Sequence, residues 1–370
     1  MADVSHTDER IKQTSRLRQA LIRPELGGIV GTVAVFVFFF LFAHDSGMFN
    51  AQGVMNWSVV SAQFMIIAVG ACLLMIAGEF DLSVGSMIGF AGMMIAIFGV
   101  TYELPMWIAI LITFAICIAF GALNGYIVVK TGLPSFIVTL ATLFILRGFT
   151  IFIPQTLERK TIIGGIREAA EGDWLAAVFG AKIGKPIFQW LGDAGVISTF
   201  ERGSRIGEPV VDGIPMLIIW ALGLVIFGHW LLTRTRFGNW IFASGGDADA
   251  ARNSGVPVTA VKIKMFMFTA FCATVFAVCQ VMEFGSAGAD RGLLKEFEAI
   301  IAVVIGGALL TGGYGSVIGA ALGALIFGVV QQGLFFAGVE SSLFRVFLGV
   351  ILLAAVILNT YIRRIITGER

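Results

Sequence analysis

The chain has 370 residues, of which 58% are hydrophobic and 13% charged, with a formal net charge of +1 and a mean hydropathy of +0.92. Soluble domains carry about 25% charged residues, so this composition excludes one and indicates a polytopic membrane protein. The balanced charge, without a basic run interleaved with aromatics, argues against a nucleic-acid partner.

Residues 1–25 run through Asp8, Glu9, Arg10, Lys12, Arg16, Arg18 and Arg23 before the first apolar run. The stretch is too long and too mixed in charge for a signal peptide, and its basic excess predicts a cytoplasmic N-terminal segment. A membrane-spanning helix needs about 20 apolar residues. On that measure the runs near 26–43, 54–77, 84–100, 106–129, 134–153, 214–232, 262–283, 298–311, 315–336 and 342–361 predict an all-α protein of about ten spans. They divide into a first transmembrane block (26–153), a long hydrophilic segment (154–213), a second block (214–361) enclosing a basic segment (233–261), and a tail (362–370).

Positively charged short loops are retained in the cytoplasm. With ten spans, Lys130, the stretch from Arg234 and Arg236 to Lys264, and Arg363 with Arg364 fall on one side together with both termini. Arg291 and Lys295 fall on the opposite side, beside Asp290, Glu296 and Glu298, where local pairing would neutralise them. Segment 154–213 is then periplasmic. Within it Trp174, Leu175, Val178, Phe179, Ile187, Phe188, Trp190 and Leu191 suggest short amphipathic pieces that lie on the membrane or a partner, or fold as a cap.

Polar stretches inside such a chain carry the information. Gly78-Glu-Phe-Asp-Leu-Ser-Val-Gly-Ser86 places two carboxylates between apolar runs, and an ionisable group within hydrocarbon is a functional candidate by default. The span count puts it at or near the cytoplasmic end of the second run. There the glycines would turn the chain, and Asp81 would cap the next helix by accepting the backbone N–H of Ser83 or Val84. Gly-x-x-x-Gly spacings at Gly85/Gly89, Gly121/Gly125, Gly315/Gly319 and Gly319/Gly323 predict close helix contacts. The stretch Gly312 to Gly323 loosely echoes Asp81 to Gly89, which points to an internal repeat with a pathway at its interface. Between two spans, Asp247 is a predicted N-cap for a short helix Ala248 to Asn253, ended by Gly255.

No catalytic constellation stands out. Ser83 and Ser86 lack a histidine base, and Asp81 and Glu298 are the one pair that an intramembrane aspartyl enzyme would require. The cysteines Cys72, Cys117, Cys272 and Cys279 sit in apolar runs and read as packing residues. His6, His44 and His229 are too scattered for a metal site. Gly180 to Pro186 misses the phosphate-loop pattern, having three residues between its glycines and proline after Lys185. No cofactor is expected in this chain, and it is not expected to be an enzyme.

Four stretches in order resemble the permease subunit of bacterial sugar importers of the ATP-binding cassette superfamily, in the ribose/xylose-type family. They are Glu79-Phe-Asp-Leu-Ser-Val-Gly-Ser86, then Leu133 to Leu143 with Arg147-Gly148, then Gly245 to Gly255, and finally Glu296 to Gly307 with Gly312 to Val317. The resemblance implies an inner-membrane permease working with a second copy or a paralogue. Its further partners would be two cytoplasmic ATPase subunits, or one fused tandem ATPase, and a periplasmic sugar-binding protein. Gly246, Asp247, Ala250, Ala251, Arg252 and Gly255 would form the segment that docks into the ATPases. Glu79, Asp81, Ser83, Gly85, Asn124, Arg147, Glu296 and Glu298 are the candidates for the pathway or the structural motif around it. The alternative is an ion-coupled secondary carrier in which Asp81, Glu296 and Glu298 bind protons or sodium.

Overall fold

A computed structural model describes residues 24–200 and 206–340, with isolated helical positions between 343 and 357. The expected terminal segments (1–25 and 362–370) and the span expected at 342–361 lie outside the described residues or almost so. Among the described residues, eight helices are long and apolar enough to cross a membrane.

The first block contains α1 (Pro24–Ala43), α2 (Ala51–Ile76), α3 (Val84–Ala96, widening to π geometry over Ile97–Thr101), α4 (Met106–Thr131) and α5 (Ser135–Glu158). The outer segment folds as α6 (Ile166–Ala169), α7 (Trp174–Gly180) and α8 (Lys185–Asp193). The second block holds α9 (Met216–Arg234), α10 (Arg236–Gly246), α11 (Ala248–Asn253), α12 (Val258–Phe284), α13 (Lys295–Ile305) and α14 (Val317–Phe336).

A helix apolar on every face is stable only where protein or lipid surrounds it completely. Every residue of α3 from Val84 to Ala96 is buried within the chain, so α3 is the centre of the bundle. The spanning windows of α2, α3 and α12 are 78%, 83% and 78% buried, against 17%, 33%, 28% and 28% for α1, α4, α5 and α9. The latter four form the outer ring and turn apolar faces such as Phe40, Phe42, Phe144 and Ile226 outward, as lipid contact requires. The glycine spacings do what small residues allow. A Cβ on Gly121 would lie 2.7 Å from the Phe266 carbonyl oxygen, and one on Gly323 2.0 Å from that of Ala302. Backbones of neighbouring helices therefore approach to contact there.

The structure departs from the sequence expectation at three places. The run near 298–311 is not a spanning helix, because α13 covers only Lys295–Ile305, about 16 Å at 1.5 Å per residue, against a hydrocarbon core of about 30 Å. Gly306 and Gly307, the latter with φ +89°, end it. Second, α5 runs through Pro154 to Glu158, so the outer segment begins later than Pro154. Third, the connector after α2 does not stay at the helix ends. Leu82 N–H donates to Thr139 Oγ1 at 3.0 Å, and Ser83 meets Asn124 of α4, a residue seven positions before Thr131 and so about 10 Å inside the bundle.

The outer segment is a cap tied to the chain's own outer ends. Ile162–Ile163 pairs antiparallel with Ala287–Gly288 after α12, and Lys182–Ile183 pairs with Ile214–Pro215 before α9. Asp173 caps α7 by accepting from the N–H groups of Leu175 and Ala176, and it also accepts from the Trp107 N–H at 2.9 Å. Phe179 stacks on Trp220 of α9 with ring centroids 4.9 Å apart. The expected amphipathic pieces thus divide, α7 packing inward while Ile187 and Trp190 of α8 stay exposed.

Candidate functional site

Two arrangements gather the residues singled out by sequence. The first is a buried polar network around the connector Gly78–Ser83. Asp81 accepts the Ser83 N–H at 2.8 Å and the Ser83 hydroxyl at 2.5 Å, through Oδ1 in both cases. Asn124 Nδ2 donates to Ser83 Oγ at 3.2 Å, and Thr142 Oγ1 donates to Asn124 Oδ1 at 2.6 Å. The Phe80 N–H donates to Ser135 Oγ at 3.0 Å. A buried polar group is costly unless paired, and this chain of bonds is what allows Asp81, Ser83, Asn124 and Thr142 to sit together in the interior.

Glu79 pairs with Lys262 of α12, Oε1 to Nζ at 2.5 Å, with both side chains mostly shielded. Lys262 escaped the sequence reading because a lysine beside a basic loop looks like another retained positive charge. Glu296, in the first turn of α13, is buried, and its carboxylate lies over Gly85. A Cβ at Gly85 would fall 1.9 Å from Glu296 Oε2 and 2.4 Å from the Gly292 carbonyl oxygen, so only glycine fits there. The positive charge of Arg147 also acts on Glu296. Glu298 turns instead to Lys295, at 2.5 Å, and Arg291 is held by Ser286 and by the Phe284 ring 4.6 Å away. Local pairing thus neutralises Lys295, whereas Arg291 is held by a serine and an aromatic ring.

The second arrangement is the segment Thr235–Gly255. Thr235 caps α10 by accepting the Gly238 N–H at 3.1 Å. Asp247 caps α11 through Oδ1, accepting from the N–H groups of Asp249 and Ala250 at 3.0 and 2.9 Å. Gly255 follows with φ +83°, so the short helix expected from these caps is present with its expected bounds. Asp249 and Arg252 pair at 2.8 Å on the exposed face. Ala250 is exposed, whereas Ala251 is turned into the protein at 5% exposure. Of the two alanines read as docking residues, only Ala250 offers a free surface.

The residue before this segment's exposed part carries a contact that spacing could not reveal. A Cβ at Gly245 would lie 1.8 Å from the Ile76 carbonyl oxygen and 2.8 Å from the Gly313 nitrogen. The same Ile76 carbonyl accepts the Gly313 N–H at 2.9 Å. Gly78 and Gly312, with φ +85° and +80°, abut Gly245 from the two connectors that precede α3 and α14. Burial raises the pKa of the Tyr314 hydroxyl in the second connector, with the Glu25 carboxylate adding to the effect.

A multi-span bundle with two chain reversals gathered at one end against Gly245 of α10, beside the capped and exposed α11, is a membrane-embedded transport subunit by class. The chain belongs to the family described as branched-chain amino acid transport system / permease component, whose model matches residues 53–356. It is 30% identical over 363 residues to the xylose transport system permease protein XylH of Escherichia coli strain K12, covering 91% of this chain and 92% of that one. The ribose import permease protein RbsC of the same strain is 32% identical over 296 residues, covering 80% and 81%. The inner membrane ABC transporter permease protein YjfF is 30% identical over 313 residues, covering 84% and 85%. No solved structure matches the chain.

Proposed function

We propose that this chain is the membrane-spanning subunit of an ATP-driven, binding-protein-dependent importer that carries a small sugar or polyol across the bacterial inner membrane. Similarity to xylose and ribose permeases over most of the chain supports the substrate class. The observation that carries the coupling role is α11 itself: capped at both ends, exposed through Ala250, and joined through Gly245 to the connectors of both halves. In this reading Gly246, Asp247, Ala250, Arg252 and Gly255 form the surface that meets an ATPase subunit, and Ala251 anchors the helix from behind. The end bearing α11 is cytoplasmic, as are both termini, and the capped end faces the periplasm and a sugar-binding protein. A second permease copy or a paralogue completes the pathway, and two ATPase subunits or one fused tandem ATPase supply the energy.

The buried network is structural in this reading. Asp81 Oδ1 is engaged twice by Ser83, which in turn is held by Asn124, so Asp81 serves to hold the connector in place. This weighs against the ion-coupled carrier. The test is reconstitution in liposomes with and without the ATPase subunits. Sugar uptake should require ATP hydrolysis by a co-purified subunit, and uptake by the permease alone would overturn the proposal.

A further inference from the structure

A chamber of about 470 Å³ opens at the capped end between α2, α12 and α14, with residues 210–213 and Lys182 on its rim. Its volume lies within the range of small-molecule sites, about 300–1,000 Å³. Four carboxamides line it: Gln52, Asn56 and Gln63 of α2 and Gln332 of α14. The three on α2 stand at i, i+4 and i+11, one face of a helix, and span about 16 Å along its axis. Gln52 and Asn56 are exposed and Gln63 is half-buried, so the face descends from the mouth toward the bilayer.

The placement of these amides is unusual for helices so apolar. After Gln63, α2 runs thirteen residues to Ile76 with no polar side chain except the Cys72 thiol, and Gln331 and Gln332 are the only amides of α14, both at its outer end. Polar side chains in spanning helices otherwise serve to join helices by hydrogen bonds. The four chamber amides make no side-chain hydrogen bond among the described residues, in contrast to the bonded chain Asp81–Ser83–Asn124–Thr142. Each amide offers two donors and an acceptor without charge, which matches adjacent hydroxyls on a neutral ligand. Holding a ligand through uncharged amides also keeps binding weak enough to release it, as a pathway requires. Glu283, Asp212 and Lys182 also line the chamber, with Asp212 held by Lys182 at 2.7 Å.

We infer that this chamber is the first station for the transported sugar, where Gln52, Asn56, Gln63 and Gln332 hold a neutral monosaccharide released at the capped end. The inference rests on the importer reading and assigns its entry site. It also gives the outer segment a role, since residues 210–213 wall the chamber.

The four native cysteines are all buried, at 1% exposure or less, so Asn56→Cys and Gln63→Cys each introduce a single accessible thiol. The assembled importer in right-side-out vesicles is treated with a membrane-impermeant trimethylammonium methanethiosulfonate. Uptake is then measured for whichever aldopentose or aldohexose the untreated complex transports. Modification at either position should lower uptake about tenfold or more, the equivalent of one hydrogen bond to the ligand, and an excess of that sugar should slow the labelling. Asn56→Leu should lower uptake similarly with the ATPase still bound. Unchanged uptake after complete labelling at both positions would overturn the assignment, as would loss of assembly in Asn56→Leu, which would make the amides packing residues. The importer reading fails on a different result, ATP-independent uptake by the unmodified complex.

Discussion

Replacing Gly245 by alanine tests whether α10 and α11 are mechanically joined to the two halves of the bundle. The added Cβ would stand 1.8 Å from the Ile76 carbonyl oxygen, whereas a carbon approaches a carbonyl oxygen to about 3.3 Å at closest. Backbone must move by about 1.5 Å. Ile76 O is also the acceptor for the Gly313 N–H at 2.9 Å, and a shift of that size breaks the bond. Overpacking of a tight contact costs about 1–3 kcal/mol and the broken hydrogen bond about 1 kcal/mol, so the variant should lose roughly 2–4 kcal/mol. Gly223→Ala in α9 is the matched control, since nothing lies within 4 Å of a Cβ there and it is remote from the junction and from α11. Both are compared by thermal unfolding of the purified permease in detergent and by the ratio of sugar transported to ATP hydrolysed. Gly245→Ala should unfold at a lower temperature and transport less per ATP, with Gly223→Ala lowered in neither. If the two variants behave alike, the junction does not bear the contact described.

Three further outcomes are expected. Ala250→Arg should abolish co-purification with the ATPase while leaving the permease's unfolding temperature unchanged, whereas Ala251→Arg should lower that temperature, because its side chain would have to enter the protein. Lys262→Met leaves Glu79 buried without its partner and should cost about 3–5 kcal/mol; adding Glu79→Gln should recover most of the loss in the same unfolding assay. Gly85→Ala should lower both unfolding temperature and uptake, and Glu296→Ala should not rescue it, since the Gly292 carbonyl oxygen still lies 2.4 Å from the new methyl group.

The parts legible in the sequence are those written by local chemistry. Asp247, the alanine-rich turn and Gly255 fix a short helix whatever surrounds it, and its bounds emerged as expected. Long apolar runs likewise fixed the spanning helices, because lipid leaves few alternatives. The misjudged stretch 298–311 shows the limit. Apolar composition measures burial and not length of helix, and Gly306–Gly307 cut the helix where Gly306 meets Gly319 of α14. The family-like stretch Glu79–Ser86 identified the chain's relatives, yet its depth in the bundle depended on Ser135, Thr139, Asn124 and Thr142 from two other helices. Lys262 and Gly245 were silent for the same reason: each takes its meaning from a residue nearly 170 or more positions away in the chain.

The loose likeness between Asp81–Gly89 and Gly312–Gly323 acquires a physical basis at that junction. Each stretch follows a descending helix, reverses the chain through glycines of positive φ, and starts a buried helix behind a serine, Ser83 before α3 and Ser316 before α14. Gly78 and Gly312 then meet each other and Gly245 with backbone atoms alone. Side chains absorb small displacements by changing rotamer, but close-packed backbone transmits them. A movement imposed on α11 from outside therefore reaches α2 with α3 and α13 with α14 together. Two of these helices line the polar chamber: α2 carries three of its amides and α14 the fourth. The same elements thus connect the exposed face at one end to the chamber at the other. A Gly245→Ala variant should accordingly change the sugar protection of Asn56→Cys as well as the coupling ratio, although Gly245 packs on Ile76, at the end of α2 opposite Asn56.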